Sequence, residues 1–551
     1  MRERNMKREK RILILLLALC MLLSMSGCGA RQQSPEDVLE ESTPGRDVEK
    51  AVGLDKVFSL NSNPRYSFNP MIATNRANQL ICDLVYENMV EVDNNFEVIP
   101  NVISGWKCNE EGTLWTFTLD TETPHTFSTG EAVTPADLCY SLGMCINADR
   151  FRGRFSSYQG ASPSGEDEFQ VTLGIGDTQF VKLLNVPIIK RGTWDTQDGV
   201  RPIGSGPYCY NEENTELHAN EYYAGRDQLP VDVIYIKEYT DAASTIAAYE
   251  DAYIDVVVND PSSYTSLGYA SSNEIHTYAT TNMHYVAFNE ESMLGRYSYF
   301  RVAMQYAFDR AYLVQLLDGN GVASPVPMVP SCKDYPTVLA SVLEFNLDTC
   351  KRILEGAGVQ DYDDDGMLEF MSGSPQEINL NFVICADSAA KSGVANRFKE
   401  DMASIGLKVT VHELTWENYK KTLESGEVQV GNQTFPMDMY YGEVQLRSNF
   451  DLTQLLETRD EKKNANTNIN YTRSNDASIE GWINQYLQAN DAMRSSAYYQ
   501  LAEYITRSVG SLVTIGFERQ QIITHRGVCK GIDANAGNPL YNFANWTIDL
   551  T

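Results

Sequence analysis

Glu443, Arg447 and Asp451 stand four residues apart, an arginine between two acids. A guanidinium offers a planar fork of donors matched to carboxylate or phosphate, so a free Arg447 would attract an anionic group and repel an ammonium. Flanked as it is, it could equally be paired with Glu443 or Asp451 at the surface. Asp361, Asp363 and Asp365, followed by Gly366, copy the first half of a calcium loop of the EF-hand kind. The twelfth position of that loop is Ser372 rather than a bidentate glutamate, and Pro375 follows closely. An ordinary Asp/Gly turn is therefore the competing account of these three acids.

Other chemistry is missing from the chain. Six histidines, at 125, 218, 276, 284, 412 and 525, never fall within a helical turn of one another, so no HExxH-like ligand pair exists. The 11 cysteines include no CxxC, and an odd number cannot pair fully within one chain. There is no GxSxG and no Walker motif. Gly204-Ser205-Gly206-Pro207-Tyr208 is glycine-rich, but no Lys-Ser or Lys-Thr follows it and Pro207 removes a donor that a phosphate loop needs. Among 74 acidic residues a glycosidase pair could hide, and sequence supplies no separation between carboxylates to single one out. No catalytic residue, cofactor or metal is therefore expected, the three aspartates being the calcium candidate.

The chain of 551 residues is long enough for two or three domains. Its net charge of −30 argues against a nucleic-acid partner, because phosphate binding needs a basic surface. Residues 1–11 carry six Lys or Arg, residues 12–25 are almost wholly apolar, and Ser26-Gly27-Cys28 follows. That is a signal peptide with a small-residue cleavage site over residues 1–27. Residues 28–55 are polar and lack aromatics, as expected of a flexible tether. Leu114–Leu119 alternates as a half-buried strand, Pro135 opens a helix, and His284–Asn289 reads as a strand before a helix over Phe300–Arg310. Beyond Pro330, strands and helices alternate: a helix over Leu347–Gly356, a strand over Ile378–Cys385, a helix ending at Gly406, and a helix from Trp416. Leu512–Ile523 is a further strand. Such alternation predicts an α/β lobe.

Several segments resemble the family 5 extracellular solute-binding proteins, the peptide-type receptors of ABC importers. The residues that carry the resemblance are Ala287-Phe288-Asn289, Arg301–Arg310, Gly204–Tyr208, Asn220–Gly225, His125–Asp137 and Leu114–Leu119. Leu23–Cys28 resembles a bacterial lipobox, which implies cleavage before Cys28 and lipidation of its sulfur. The resemblance implies an α/β fold of two lobes, like the large, type II peptide-binding class of periplasmic binding proteins. Lobe I would take 56–286 and 512–551 with an extra α+β subdomain at about 71–194, and lobe II would take 287–511. It implies a monomer held to the outer face of the membrane, delivering a peptide or similar small solute to permease subunits. Sensing without transport, or glycoside hydrolysis, would be the alternatives. Thr74 and Arg76 match a ligand-contacting loop of the family. Arg447 stands at or near an Asp that binds a peptide's ammonium in oligopeptide-type members, and Glu443, Arg447 and Asp451 would face the ligand from the opposite lobe.

Overall fold

The structure, a computed structural model, describes residues 56–550 apart from 195–199, 262–266, 268–269, 461–463 and 465–466. The expected leader, the tether and Cys28 lie outside the described residues. Eleven strands build the main sheet: β1 Ser59–Ser62, β2 Tyr208–Tyr210, β3 Glu216–Ala219, β4 Val233–Glu238, β5 Val256–Asn259, β6 Asn273–Phe288, β7 Gly321–Ala323, β8 Asn379–Cys385, β9 Lys408–Leu414, β10 Met439–Gln445 and β11 Leu512–His525. Their order is β9-β8-β10-β6-β11-β5-β1-β4-β3-β2, with β7 pairing β11. β1 runs parallel to β4 and β5, β8 runs parallel to β9 and β10, and the long central pair β6–β11 is antiparallel.

The two halves of the sheet meet only through that pair among the described residues. The first half of β6 and the second half of β11 pair with each other and, through Val256–Asn259 opposite Gln521–Thr524, with β5. The other halves pair with each other and, through Asn282–Phe288, with β10. Between them the register shifts from Ala279–Arg519 to Met283–Phe517. A β-bulge of this kind leaves residues out of the ladder and bends the strand. Threonine hydroxyls take over there: Thr280 Oγ1 donates to the Glu518 carbonyl at 2.8 Å and Thr281 Oγ1 to the Leu446 carbonyl at 2.6 Å.

Separate cores form on either side of this break. One gathers Phe58, Leu60, Phe117, Leu138, Tyr208 and Ile234 with Ile522, Phe543 and Trp546. Another gathers Val286, Phe288, Phe300, Phe308, Phe382 and Phe398 with Val513 and Ile515. The chain thus returns to its first core at the end, where Phe543 packs 6.0 Å from Phe58 and 5.8 Å from Tyr208. A four-stranded antiparallel sheet, Ile103–Cys108, Leu114–Leu119, Glu168–Leu173 and Tyr158–Pro163, stands apart from the main one and carries the helix Pro135–Asn147. That helix starts with a capping box of Thr134 and Asp137 and with Pro135 in its first turn. Among the described residues no helix is long and apolar enough to cross a membrane.

The helix expected over Phe300–Arg310 is broken. Ser298–Met304 and Arg310–Leu316 are separate helices. Between them the Gln305 side chain turns away to donate to the Leu512 carbonyl at 2.8 Å, and Asp309 caps the second helix by accepting from Tyr312 N at 3.3 Å. The backbone between the helices tightens into turns, with Gln305 N, Tyr306 N and Ala307 N each donating to the carbonyl three residues back, so the apolar periodicity survives while the α-helix does not.

Gly204–Tyr208 is a packing loop. Gly206 N donates to the Val85 carbonyl at 2.9 Å, at the end of the helix Arg76–Val85. A Cβ on Gly206 would lie 2.5 Å from the Val85 carbonyl carbon, backbone that cannot give way. Gly206→Ala should therefore lower the unfolding free energy by about 1–3 kcal/mol, measured by urea denaturation. An unchanged midpoint would show that this close approach is not needed.

Candidate functional site

The bulge of β6 floors a cavity of about 410 Å3, with Thr280, Thr281 and Asn282 from β6 and Gln520 from β11 in its lining. Its walls come from both sides of the break. Thr74, Arg76, Arg150, Arg152, Arg154 and Asn185 stand on one side, and Gln445, Arg447, Ser448 and Gln454 on the other. Among the described residues, five arginines line it, and no Asp, Glu, Lys or His does.

Arg76 is the first residue of the helix Arg76–Val85, capped by Asn75, whose side chain accepts from Ala77 N and Asn78 N. A cation at the positive end of a helix is unfavourable, so Arg76 needs other partners. Its Nη2 donates to the Tyr278 hydroxyl at 2.9 Å and its Nη1 to Gln79 Oε1 at 3.4 Å. Burial alone would lower the Arg76 pKa, but the Tyr278 oxygen and the charges of Asp83 and Asp260 outweigh it and raise the value.

Arg150, Arg152 and Arg154 follow the helix Pro135–Asn147 in a short irregular segment. Arg150 Nη1 donates to the Pro70 carbonyl at 2.6 Å, just ahead of the Thr74 loop. The buried Phe151 ring is shared by two guanidiniums, with Arg150 at 5.1 Å and Arg154 at 5.7 Å from its centroid. Arg154 also lies 5.9 Å from the centroid of Phe155. These cation–π contacts take the place of carboxylates. Burial, aided by the neighbouring charges of Arg150 and Arg447, pulls the Arg154 pKa down to about 10. Gly153 turns the segment at a φ of +73°, and a Cβ there would come within 3.3 Å of Thr467 and 3.5 Å of Arg447 Nη2. The absent side chain lets this segment meet the facing wall.

Arg447 stands just beyond the end of β10 and donates through Nη1 to Asp451 Oδ2. Asp451 also accepts from Thr453 N at 2.9 Å and from Thr453 Oγ1 at 2.5 Å. Behind this pair, Asn449 Nδ2 donates to Asp177 Oδ2 at 2.9 Å, which ties the subdomain to the facing half. Phe96 and Phe450 pack edge to face at 5.4 Å across the same junction, and both hold left-handed backbone, at φ of +61° and +55°. Non-glycine residues in that region carry about 1–3 kcal/mol of strain each, sustained only where the surroundings enforce it.

Of the residues singled out in the sequence, Thr74, Arg76 and Arg447 line this cavity together. Asp451 stands behind Arg447 as its partner. Glu443 lies elsewhere: it pairs with Lys391 at 2.7 Å and belongs to another cavity, lined also by Tyr285, Trp416 and Tyr440. There it can bring an oxygen within 4.8 Å of buried His284 and Glu518, which are hydrogen-bonded at 2.7 Å. The aspartates Asp361, Asp363 and Asp365 converge in their loop, and the fourth acid is Glu369 rather than a residue at position 372. Tyr362 N and Gly366 N already donate to Glu369 and Asp361. The glycosidase alternative needs two carboxylates in the cleft, and among the described residues none lines it. Sequence reading passed over Arg150, Arg152 and Arg154, although three arginines at alternate positions in so acidic a chain were a legible signal.

A larger cavity of about 820 Å3, lined by Glu87, Asp120 and His125, lies wholly on one side of the break, within residues 87–228.

The family model of bacterial extracellular solute-binding proteins, family 5, middle, matches residues 97–453. The chain is similar to the oligopeptide-binding protein AppA of Bacillus subtilis, 23% identical over 437 residues, covering 75% of this chain and 78% of that one. It is also similar to the nickel-binding periplasmic protein of Escherichia coli, 25% identical over 366 residues, covering 62% of this chain and 68% of that one. Among solved structures, the ABC transporter substrate binding protein CtaP of Listeria monocytogenes superposes with a TM-score of 0.69 at 14% identity, covering 90% of this chain and 99% of that one. The fold is that of the two-lobed α/β periplasmic binding proteins of the family 5 type.

Burial, reinforced by the nearby Asp451, pushes the Asp177 carboxyl up to about 7, against the hydrogen bonds from Gln179 N and Asn449 and the charge of Arg447. The unfolded chain ionises this group near pH 4, about 3.9. Between these values the folded protein holds a proton that the unfolded chain has lost, so stability falls as pH rises from about 4 through about 7 and then levels. Asp177→Asn should remove about 2–4 kcal/mol of that fall. Urea denaturation of both proteins at pH 4.5 and pH 8 measures it, and parallel pH profiles would refute it.

Proposed function

The chain belongs to the bacterial extracellular solute-binding proteins, family 5, and from that premise we propose that it is the lipid-anchored receptor of an ABC importer. It holds a peptide or similar small solute between two lobes and hands it to a membrane permease. The observation that carries this reading is the position of the arginine-lined cavity, walled from both halves of the sheet and floored by the break between Ala279 and Met283 in the β6–β11 ladder. Lobe I is read from the sequence as 56–286 with 512–551, bearing the subdomain of about 71–194, and lobe II as 287–511; β6 and β11 run through both, so Val286, Val513 and Ile515 pack in the second core. The hinge is the bulge between Ala279 and Met283, where hydroxyl-to-carbonyl bonds replace ladder bonds. Solute that touches both walls favours the closed form by its extra contacts.

The relatives' names point to peptide and nickel cargo for those proteins. For this chain, Thr74, Arg76 and Arg447 contact the solute, and Asp451 holds Arg447 in place. The protein acts outside the cytoplasm as a monomeric carrier, not an enzyme, fixed to the outer face of the membrane through lipid on Cys28.

Two measurements test this. A thermal-shift screen with peptide pools, amino acids, sugars and nickel complexes should find solutes that raise the unfolding midpoint, since a ligand bound only by the folded state stabilises it by mass action. Arg447→Ala should weaken binding of such a solute about 10- to 100-fold, the loss expected for a hydrogen bond to a charged group. A solute-insensitive midpoint would end the receptor reading, and unchanged affinity in Arg447→Ala would remove Arg447 from the site. Incorporation of labelled palmitate in cells should be lost in Cys28→Ala; if labelling persists, the anchor is not at Cys28.

A further inference from the structure

The arginine cluster carries more charge than the residues behind it can balance. Arg152 is paired with Asp149 and Arg447 with Asp451. Asp83 lies within electrostatic reach of both Arg150 and Arg76, its burial pushes its carboxyl up to about 6, and Asp260 also acts on Arg76, which leaves five arginines facing four acids. Arg154 makes no ion pair among the described residues and rests on aromatic faces, between the like charges of Arg150 and Arg447. Arg76 Nε is buried without a hydrogen-bond partner. Protein groups other than acids complete the lining: amides of Gln79, Asn185, Asn282, Gln445, Gln454 and Gln520, with the hydroxyls of the threonines and Ser448.

A surface cluster of arginines is commonly solvated, and counter-ions screen it. This one lines a half-open cleft, with Arg152 half-exposed but Arg447 only 10% exposed at its side chain, and it sits in a chain of net charge −30. Massing like charges in a confined space is unfavourable unless something of opposite sign enters. A peptide zwitterion brings one carboxylate and one ammonium, and among the described residues no acid lines the cavity to receive the ammonium. Guanidinium forks match planar carboxylates and phosphoryl oxygens in paired hydrogen bonds. A volume of about 410 Å3 lies in the range of about 300–1,000 Å3 of small-molecule sites, and the abundance of amides and hydroxyls suits a polar body between the charged ends.

We infer that the solute of this cavity is a small polyanion carrying at least two carboxylate or phosphoryl groups, with its anionic oxygens taken by Arg76, Arg150, Arg152, Arg154 and Arg447. This rests on the receptor reading and names its substrate class. A zwitterionic peptide without acidic side chains is a poor solute for this site.

The test is calorimetric titration of the full chain, purified in detergent, with four probes of similar size: propane-1,2,3-tricarboxylate, 2,3-bisphosphoglycerate, the acidic dipeptide Glu-Glu and trialanine. At least one of the first three should bind at least tenfold more tightly than trialanine. Which of them binds tells carboxylate from phosphoryl recognition. Arg154→Gln should weaken that binding about 10- to 100-fold, with Arg154→Lys between the two because charge stays and the fork is lost. Arg152→Gln, on a half-exposed side chain, carries the same test should Arg154→Gln not fold. Tight binding of trialanine indifferent to both glutamine variants overturns the polyanion and leaves the receptor standing. Absence of binding by all four overturns the polyanion, and the receptor falls with it only if the broader solute screen is silent too.

Discussion

Every strand of one half-sheet reaches the other half through the pairing of β6 with β11. Take that pair away and the order divides into β9-β8-β10 on one side and β5-β1-β4-β3-β2 on the other. Both strands must therefore be long enough to serve two cores, and their sequences change accordingly. β11 is buried along almost its whole length, from Leu512 to Glu518 and again from Gln521 to His525, with exposed Arg519 and half-buried Gln520 between. The polar interruption coincides with the register shift in β6. A wide twisted sheet is hard to keep in one register throughout, and the break falls where the Thr280 and Thr281 hydroxyls can bond to backbone groups. The buried His284–Glu518 hydrogen bond, with the Tyr441 hydroxyl 2.9 Å from His284 Nδ1, lies beside that break and links β6, β11 and β10. The same break opens the cavity, so the interruption of the ladder and the arginine-lined cavity share one location.

The cavity shows how cations can be kept close together without acids between them. Phe151 lies between Arg150 and Arg154, Tyr278 steadies Arg76, and the Pro70 carbonyl accepts from Arg150. Acids are present, but behind: Asp451 fixes the direction of Arg447 without entering the cavity. The cost is visible in the backbone, where Phe96 and Phe450 hold left-handed conformations while packed on each other across the junction. Strain of that kind persists where packing over-determines it, and it clusters at functional sites.

Much of the framework was legible because it is written in periodicity. The strand Leu114–Leu119 and the helix Leu347–Gly356 were read with their observed limits, and the return strand beginning at Leu512 was read to within two residues of its end. The helix over Phe300–Arg310 was misread because its apolar spacing runs through a break set by Gln305 bonding to β11, a tertiary contact that no local pattern records. The site was harder. Glu443 and Arg447 share a face if the strand continues, but β10 ends at Gln445 and the chain then turns to a left-handed Phe450. Their directions diverge, and Glu443 goes to Lys391. Thr74 and Arg76 came from resemblance rather than from spacing. Arg150, Arg152 and Arg154 had a visible pattern, yet nothing local says that a segment after a helix will face residues some 300 positions further on.

The late position of β11 also governs how the molecule comes into being. A chain emerging amino end first completes β5 and β6 with each presenting an unpaired edge, and nothing closes them until residues 512–525 arrive. Val256 waits for Thr524, and Tyr285 for Thr514. Pairings so distant in sequence form slowly, and unpaired edges recruit other strands. For an exported chain this delay has a use: the half-sheets cannot lock together while most of the polypeptide is still threading through a pore. It also makes truncation abrupt, because a product ending before Leu512 is two half-sheets with sticky margins rather than a shorter version of the same protein.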